Sequence, residues 1–238
     1  MKNIIFAFFI SNMAFAQFTK IEYDINFDLS GILKKQNLKK SELIIGNDVS
    51  LTNLYVKNMD SLKANLLSNT KLNKIGSDTV KYFKDFKKMK LFSEEKIFNK
   101  IFEVEDELDI FDWEITNDSI SILGHICFKA KTFFRGREFE AYFTNEIAIS
   151  DGPMKFNGLP GLILKVKLIN SNAIFEATAT KITNNYSVKN ILNPFQKPIE
   201  YTNYRDKYIK KITEFQSYYA GTGTTIGTNG LEILIFDE

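Results

Sequence analysis

The sequence predicts an α+β fold, predominantly β: an antiparallel meander forming a curved sheet or half-barrel, followed by a C-terminal helix. Three observations carry this expectation. Residues 21–29 alternate, with Ile21, Tyr23, Ile25, Phe27 and Leu29 on one face and Glu22, Asp24, Asn26 and Asp28 on the other, the pattern of a strand with one wet side. From Ile120 to Ile182 the apolar stretches are separated by turns of a few residues, too short for the crossover that a parallel sheet requires. After Pro194 and Pro198 the apolar spacing becomes helical, with Tyr204, Tyr208, Ile212, Phe215 and Tyr219 on one stripe.

The elements follow in order. Gly31 to Lys40, with four lysines, reads as a loop, and Ser41 to Leu54 as a strand signal around Leu43-Ile44-Ile45. Asp60 suits the N-cap of a short helix through Leu67, and Ser68 to Ser77 is a polar loop. Between 81 and 104 the spacing of Tyr82, Phe86 and Met89 is helical, yet lysine-rich strands joined near Asn99 fit from Met89 onward and are preferred. Ile120 to Phe134 reads as one long strand. Arg135-Gly136 turns it into a second strand, Arg137 to Ile149. Asp151-Gly152-Pro153 and then Gly158-Leu159-Pro160-Gly161 turn the chain again, the latter expected as a type II turn with φ > 0 at Gly161. Strands at Leu162 to Ile169 and Ala173 to Ile182 complete the meander. The helix is capped by Thr202 or Asn203 and ended by Gly221, and Leu231 to Phe236 is a last short strand.

Composition sets limits on function. The 238 residues are 44% apolar and 25% charged, enough for a folded core. A net charge of +2 gives no general attraction to nucleic acid. One Cys and one His exclude a disulfide framework and most zinc sites, and the chain calls for no cofactor. Residues 1–16 read as a secretory signal: Lys2, an apolar run from Ile4 to Ile10, and Ala14-Phe15-Ala16 before the cut. With no Cys to accept lipid and no later spanning run, residues 17–238 are expected as one exported domain, periplasmic or extracellular and not a lipoprotein, without a transmembrane segment.

From Trp113 to Leu164 a series of marks stands in order: Trp113, the run Ile122 to Ala130, Phe134-Arg135-Gly136-Arg137, Glu146-Ile147, Gly152-Pro153, and Gly158-Leu159-Pro160-Gly161-Leu162-Ile163. This ordered set resembles the GLPGLI family of secreted bacterial proteins, with the motif-bearing core at 113–182. The resemblance implies an exported component of a didermic bacterial envelope and transfers no catalytic residue. His125 departs from the aromatic residue more frequent there, which argues against a shared role for it. The outline is similar to half-barrel lipoprotein carriers, an analogy of fold only.

Candidate chemistry is sparse. His125 and Cys127 leave one face of a strand together, a soft-metal or redox pair if the thiol ionises; a packed sulfur and a surface imidazole explain them as well. Arg135 and Arg137 flank a turn and suit an anion contact, or solvation. Glu138, Glu140, Glu146 and Asp151 suggest a carboxylate hydrolase, but Lys129 and Lys131 on the facing strand suggest cross-strand charge pairs. The acids from Glu103 to Glu114 lack a calcium loop, and Gly221 to Thr225 lacks the ending of a phosphate loop. A serine hydrolase is disfavoured by the missing Gly-x-Ser-x-Gly. Three Asp-Ser/Thr-aliphatic triplets, at Asp60, Asp78 and Asp118, match a short glycosylation signal. The reading that remains is a non-catalytic binding or accessory module for an apolar or peptide ligand, with other envelope proteins as partners.

Overall fold

The computed structural model describes residues 18–28, 38–46, 48–55, 79–98, 100–188 and 190–218. The signal segment, the helix expected at Asp60, the loop after it and the strand expected at Leu231 lie outside the described residues. The described chain is predominantly β with one C-terminal helix. In order come β1 (Phe18–Asp28), β2 (Leu38–Ile45), β3 (Val49–Tyr55), β4 (Thr79–Asp85), β5 (Lys90–Ile97), β6 (Lys100–Glu107), β7 (Glu114–Ile122), β8 (His125–Phe134), β9 (Arg137–Thr144), β10 (Leu162–Ile169), β11 (Ile174–Tyr186), β12 (Ile199–Glu200) and α1 (Tyr201–Tyr218).

All twelve strands form one sheet, ordered β12-β6-β5-β4-β3-β2-β1-β11-β10-β9-β8-β7. Two antiparallel meanders, β1 to β6 and β7 to β11, meet where β1 pairs with β11. Only β12 runs parallel to its neighbour, β6. The sheet is open and curved. Strands far apart in its order share one core: Leu54 and Tyr82 from the first meander pack with Phe139, Phe143 and Phe175 from the second. Curvature also brings the β8–β9 turn back to β6, where the Arg135 guanidinium holds the Asp106 carboxylate at 2.8 and 3.1 Å and lies 3.4 Å from the Tyr201 ring centre.

The alternation of β1 is as the sequence predicts, with Ile21, Tyr23 and Ile25 fully buried. The Arg135-Gly136 turn is also present, with φ of 43° and 78°. Several boundaries differ. The stretch expected as one strand from Ile120 to Phe134 is two strands, because Leu123 and Gly124 turn the chain at φ of 52° and 85°. The Ser41–Leu54 signal divides into β2 and β3 at Gly46, whose amide donates to the Val49 carbonyl at 2.9 Å. Strand begins at Thr79, ahead of the expected Met89, and Leu38 to Lys40 belong to β2 and not to a loop. In α1 the helical stripe buries Tyr204 and Ile212, while Thr202 and Asn203 lie inside the helix and not at its cap.

Side chains fill the inner face of the sheet. Tyr23, Phe139, Phe143, Phe156 and Phe175 are fully buried there, and Phe156 stacks against Phe175 with ring centres 5.8 Å apart. An apolar ligand held inside the half-barrel would have to displace these rings. Any ligand surface is therefore sought outside.

Candidate functional site

The Gly158–Ile163 corner packs inward. Leu159, Leu162 and Ile163 are buried, and the turn is not type II: the Gly161 amide donates to the Leu159 carbonyl at 2.8 Å, around Pro160. That is the three-residue turn for which the fixed φ of proline is suited. Gly161 is required by space. A Cβ there would stand 2.1 Å from the Thr144 carbonyl oxygen. Gly158, at φ 90°, lies against Trp113, whose indole N–H donates to the Asn157 carbonyl at 2.8 Å.

Beneath this corner lies an ion pair that sequence reasoning missed. Lys84 of β4 and Asp151, in the segment between β9 and β10, are 1% and 0% exposed and meet at 2.5 Å. The ammonium also donates to the carbonyls of Gly152 at 2.9 Å and Phe156 at 2.8 Å, so its three protons are all engaged. Burial pulls the Lys84 pKa down while Asp151 opposes that. The Tyr23 hydroxyl donates to the Ile163 carbonyl at 2.8 Å, and burial together with Asp151 pushes its pKa up. A second lysine pair has the opposite polarity: Lys155 of the segment reaches Glu95 of β5 at 2.7 Å. The two bridges clamp the 145–161 segment across the curved sheet. Lys84–Asp151 is sealed from solvent and acts as structure, while the Lys155–Glu95 bridge is partly open, with Glu95 22% exposed.

His125 and Cys127 lie close on β8 in different surroundings, the imidazole partly exposed and the thiol buried. The imidazole Nδ1 lies 2.6 Å from Glu146, whose other oxygen accepts the Ile126 amide at 3.1 Å. Hydrogen bonding from His125 and Ile126 lowers the Glu146 pKa. Cys127 is buried with its sulfur against the His125 carbonyl at 3.6 Å, and burial pushes the thiol up to about 11. A protonated, buried thiol is a poor partner for a soft metal or a nucleophilic role. Among the described residues no group of three or more His, Cys, Asp or Glu is placed to hold a metal.

The two arginines are engaged within the fold. Arg135 ties the β8–β9 turn to β6 and α1, and Arg137 is buried with Ser171 Oγ at 3.4 Å. The hairpin acids do not converge. Glu140 binds Lys167 at 2.8 Å and accepts the Tyr142 hydroxyl at 2.9 Å, Glu138 accepts the Asn170 amide, and Glu146 faces His125. Glu114, Lys131, Glu140, Lys167 and Glu176 stand in one register row across β7 to β11, an alternating charge ladder of the kind expected from Lys129 and Lys131. The acids of β6 are likewise divided, Glu105 and Glu107 toward Lys90 and Glu103 toward the amides of Gln196 and Lys197.

One outward groove gathers aromatic and polar groups. It holds about 580 Å³ between Asp112-Trp113-Glu114, Lys131 to Phe133, Glu138 and Asn170. Trp113 is half-buried and stacked on Phe111 with ring centres 5.5 Å apart, while Phe133 is 70% exposed. Residues 31–206 match the family described as the N-terminal domain of N-glycanase peptide. The chain belongs to that family. Two crystal structures of PNGF-II, in the C2 and P21 space groups, superpose on the chain with TM-scores of 0.52 and 0.54 at 20% identity. At that identity the likeness is one of fold. Each covers 83% of the present chain, which spans 34% of the PNGF-II chain. A search of curated proteins finds no match.

Proposed function

We propose that the chain is an exported, non-catalytic accessory module of a glycan-processing envelope protein, and that the Trp113 groove takes an N-linked glycopeptide. The observation that carries this reading is the groove itself. An indole, an exposed phenyl ring, three carboxylates and an amide converge on an open, outward-facing site. Apolar sugar faces stack on aromatic rings, and sugar hydroxyls need both donors and acceptors. The family name, an N-terminal domain of an N-glycanase, supports the choice of ligand class. The carboxylates of the β8–β9 hairpin support the absence of catalysis, since each is committed to a different partner. The ordered set from Trp113 to Leu164 supports membership of the GLPGLI group, and residues 1–16 support export to the periplasm or beyond.

Trp113 is the only tryptophan in the sequence, so its emission reports on the groove alone. Titration with an N-glycopeptide should shift that emission and release heat in calorimetry, and Glu138→Ala should weaken both. Unchanged emission and no heat up to roughly 10 mM, weaker than any useful protein–ligand affinity, would remove the glycopeptide reading.

A further inference from the structure

A second surface is built on a different principle. At the β5–β6 turn the chain places Phe98, at φ 51°, and Ile101 in solvent, 52% and 54% exposed. Beside that tip runs a groove of about 650 Å³, floored by Ile97, Phe98 and Phe102 and walled by Lys100, Lys207, Lys210 and Lys211, with Glu214 as its one acid. Glu214 is already bound to Lys211 at 2.7 Å. Lys100 lies 4.9 Å over the Phe102 ring, and Lys207 and Lys210 form no ion pair among the described residues. The groove is therefore apolar at its base and cationic at its rim. The exposed face of the tip carries both characters, with Lys96 opposite Ile101 in the β5–β6 ladder. On the other side α1 covers the hairpin: Ile97 is buried with Tyr204, and the Phe98 and Phe215 rings lie 5.4 Å apart. An exposed apolar tip flanked by unpaired lysines complements apolar chains beneath anionic headgroups.

We infer that the β5–β6 tip and the lysine wall of α1 dock the protein on an anionic lipid surface. Phe98 and Ile101 enter the headgroup boundary, and Lys96, Lys100, Lys207 and Lys210 meet lipid phosphates. This site is distinct from the Trp113 groove and does not depend on it.

The test is sedimentation of the chain with phosphatidylcholine vesicles, with and without about 30% phosphatidylglycerol. The chain should pellet with the anionic vesicles only, and salt should release it. Lys207→Gln with Lys210→Gln should lower the partition coefficient roughly 25-fold, about fivefold for each lysine. Phe98→Asn, which keeps a residue tolerant of positive φ, should lower it roughly tenfold through lost apolar burial. The lysine variant should melt as the parent does, and Phe98→Asn, which loses the ring contact with Phe215, should melt slightly lower but remain folded. Equal binding to neutral and anionic vesicles, or none to either, would overturn the inference. So would stoichiometric binding of dodecyl phosphate without vesicle binding, which would make the groove a site for single amphiphiles. A concentration-dependent dimer abolished by Phe98→Asn, without vesicle binding, would overturn it in favour of a second copy of the chain.

Discussion

Two lysine-and-aromatic regions of this molecule have similar composition and opposite construction. Under the Gly158–Ile163 corner, Lys84 lies among Phe156, Asp151 and backbone carbonyls with every ammonium proton bonded. Beside α1, Lys207 and Lys210 wall a groove floored by Phe98 and Phe102 and form no direct ion pair among the described residues, with only Glu214, already bound to Lys211, nearby. The first lysine has exchanged water for fixed acceptors and cannot meet a ligand. The second pair keeps its water, and with it the freedom to exchange that water for an anion. What separates a structural lysine from a binding one here is the completeness of its hydrogen bonding, more than the residues around it.

The largest expected effect tests the sealed side. Lys84→Met strands a fully buried Asp151 carboxylate and should cost about 3–5 kcal/mol in urea unfolding. Adding Asp151→Leu should recover part of that, but not all. The Gly152 and Phe156 carbonyls lose their donor in either case, at about 1 kcal/mol each. Full recovery would mean that the carbonyl contacts contribute nothing and that the clamp is only a charge pair. Gly161→Ala comes next, at about 3 kcal/mol, because its methyl group must push the Thr144 carbonyl away. A variant with unchanged melting and lost glycopeptide binding would instead make the corner a ligand surface. Trp113→Phe removes the bond to the Asn157 carbonyl and should cost about 1 kcal/mol, a moderate effect at the border between core and groove.

Local rules made much of this fold legible. Strict alternation located β1, the Arg-Gly pair located the β8–β9 turn, and the changed period after Pro198 located α1. The break at Leu123 was hidden because leucine rarely accepts positive φ, so Gly124 alone did not outweigh the apolar run around it. The candidate sites were less legible, for a consistent reason. Lys84 and Asp151 are 67 positions apart, and Arg135 and Asp106 are 29. Each pair meets only because a twelve-stranded sheet curves back on itself. Arg135 could not be assigned a partner from spacing along the chain, whereas the facing of Lys131 and Glu140 across the β8–β9 hairpin could. His125 and Cys127 were correctly placed near one another on a strand, but burial of the thiol and the approach of Glu146 are tertiary facts.

The smallest expected effect falls on the open side and carries the most weight for the comparison. Lys207→Gln with Lys210→Gln removes two charges that satisfy no buried partner, so unfolding free energy should stay within about 0.5 kcal/mol of the parent. Relief of repulsion among neighbouring lysines could even raise it slightly, most visibly at low salt where screening is weakest. A loss of 2 kcal/mol or more would show these lysines to be holding α1 against the sheet. The groove would then be as structural as the clamp, and the contrast between complete and incomplete hydrogen bonding would no longer mark out a binding surface.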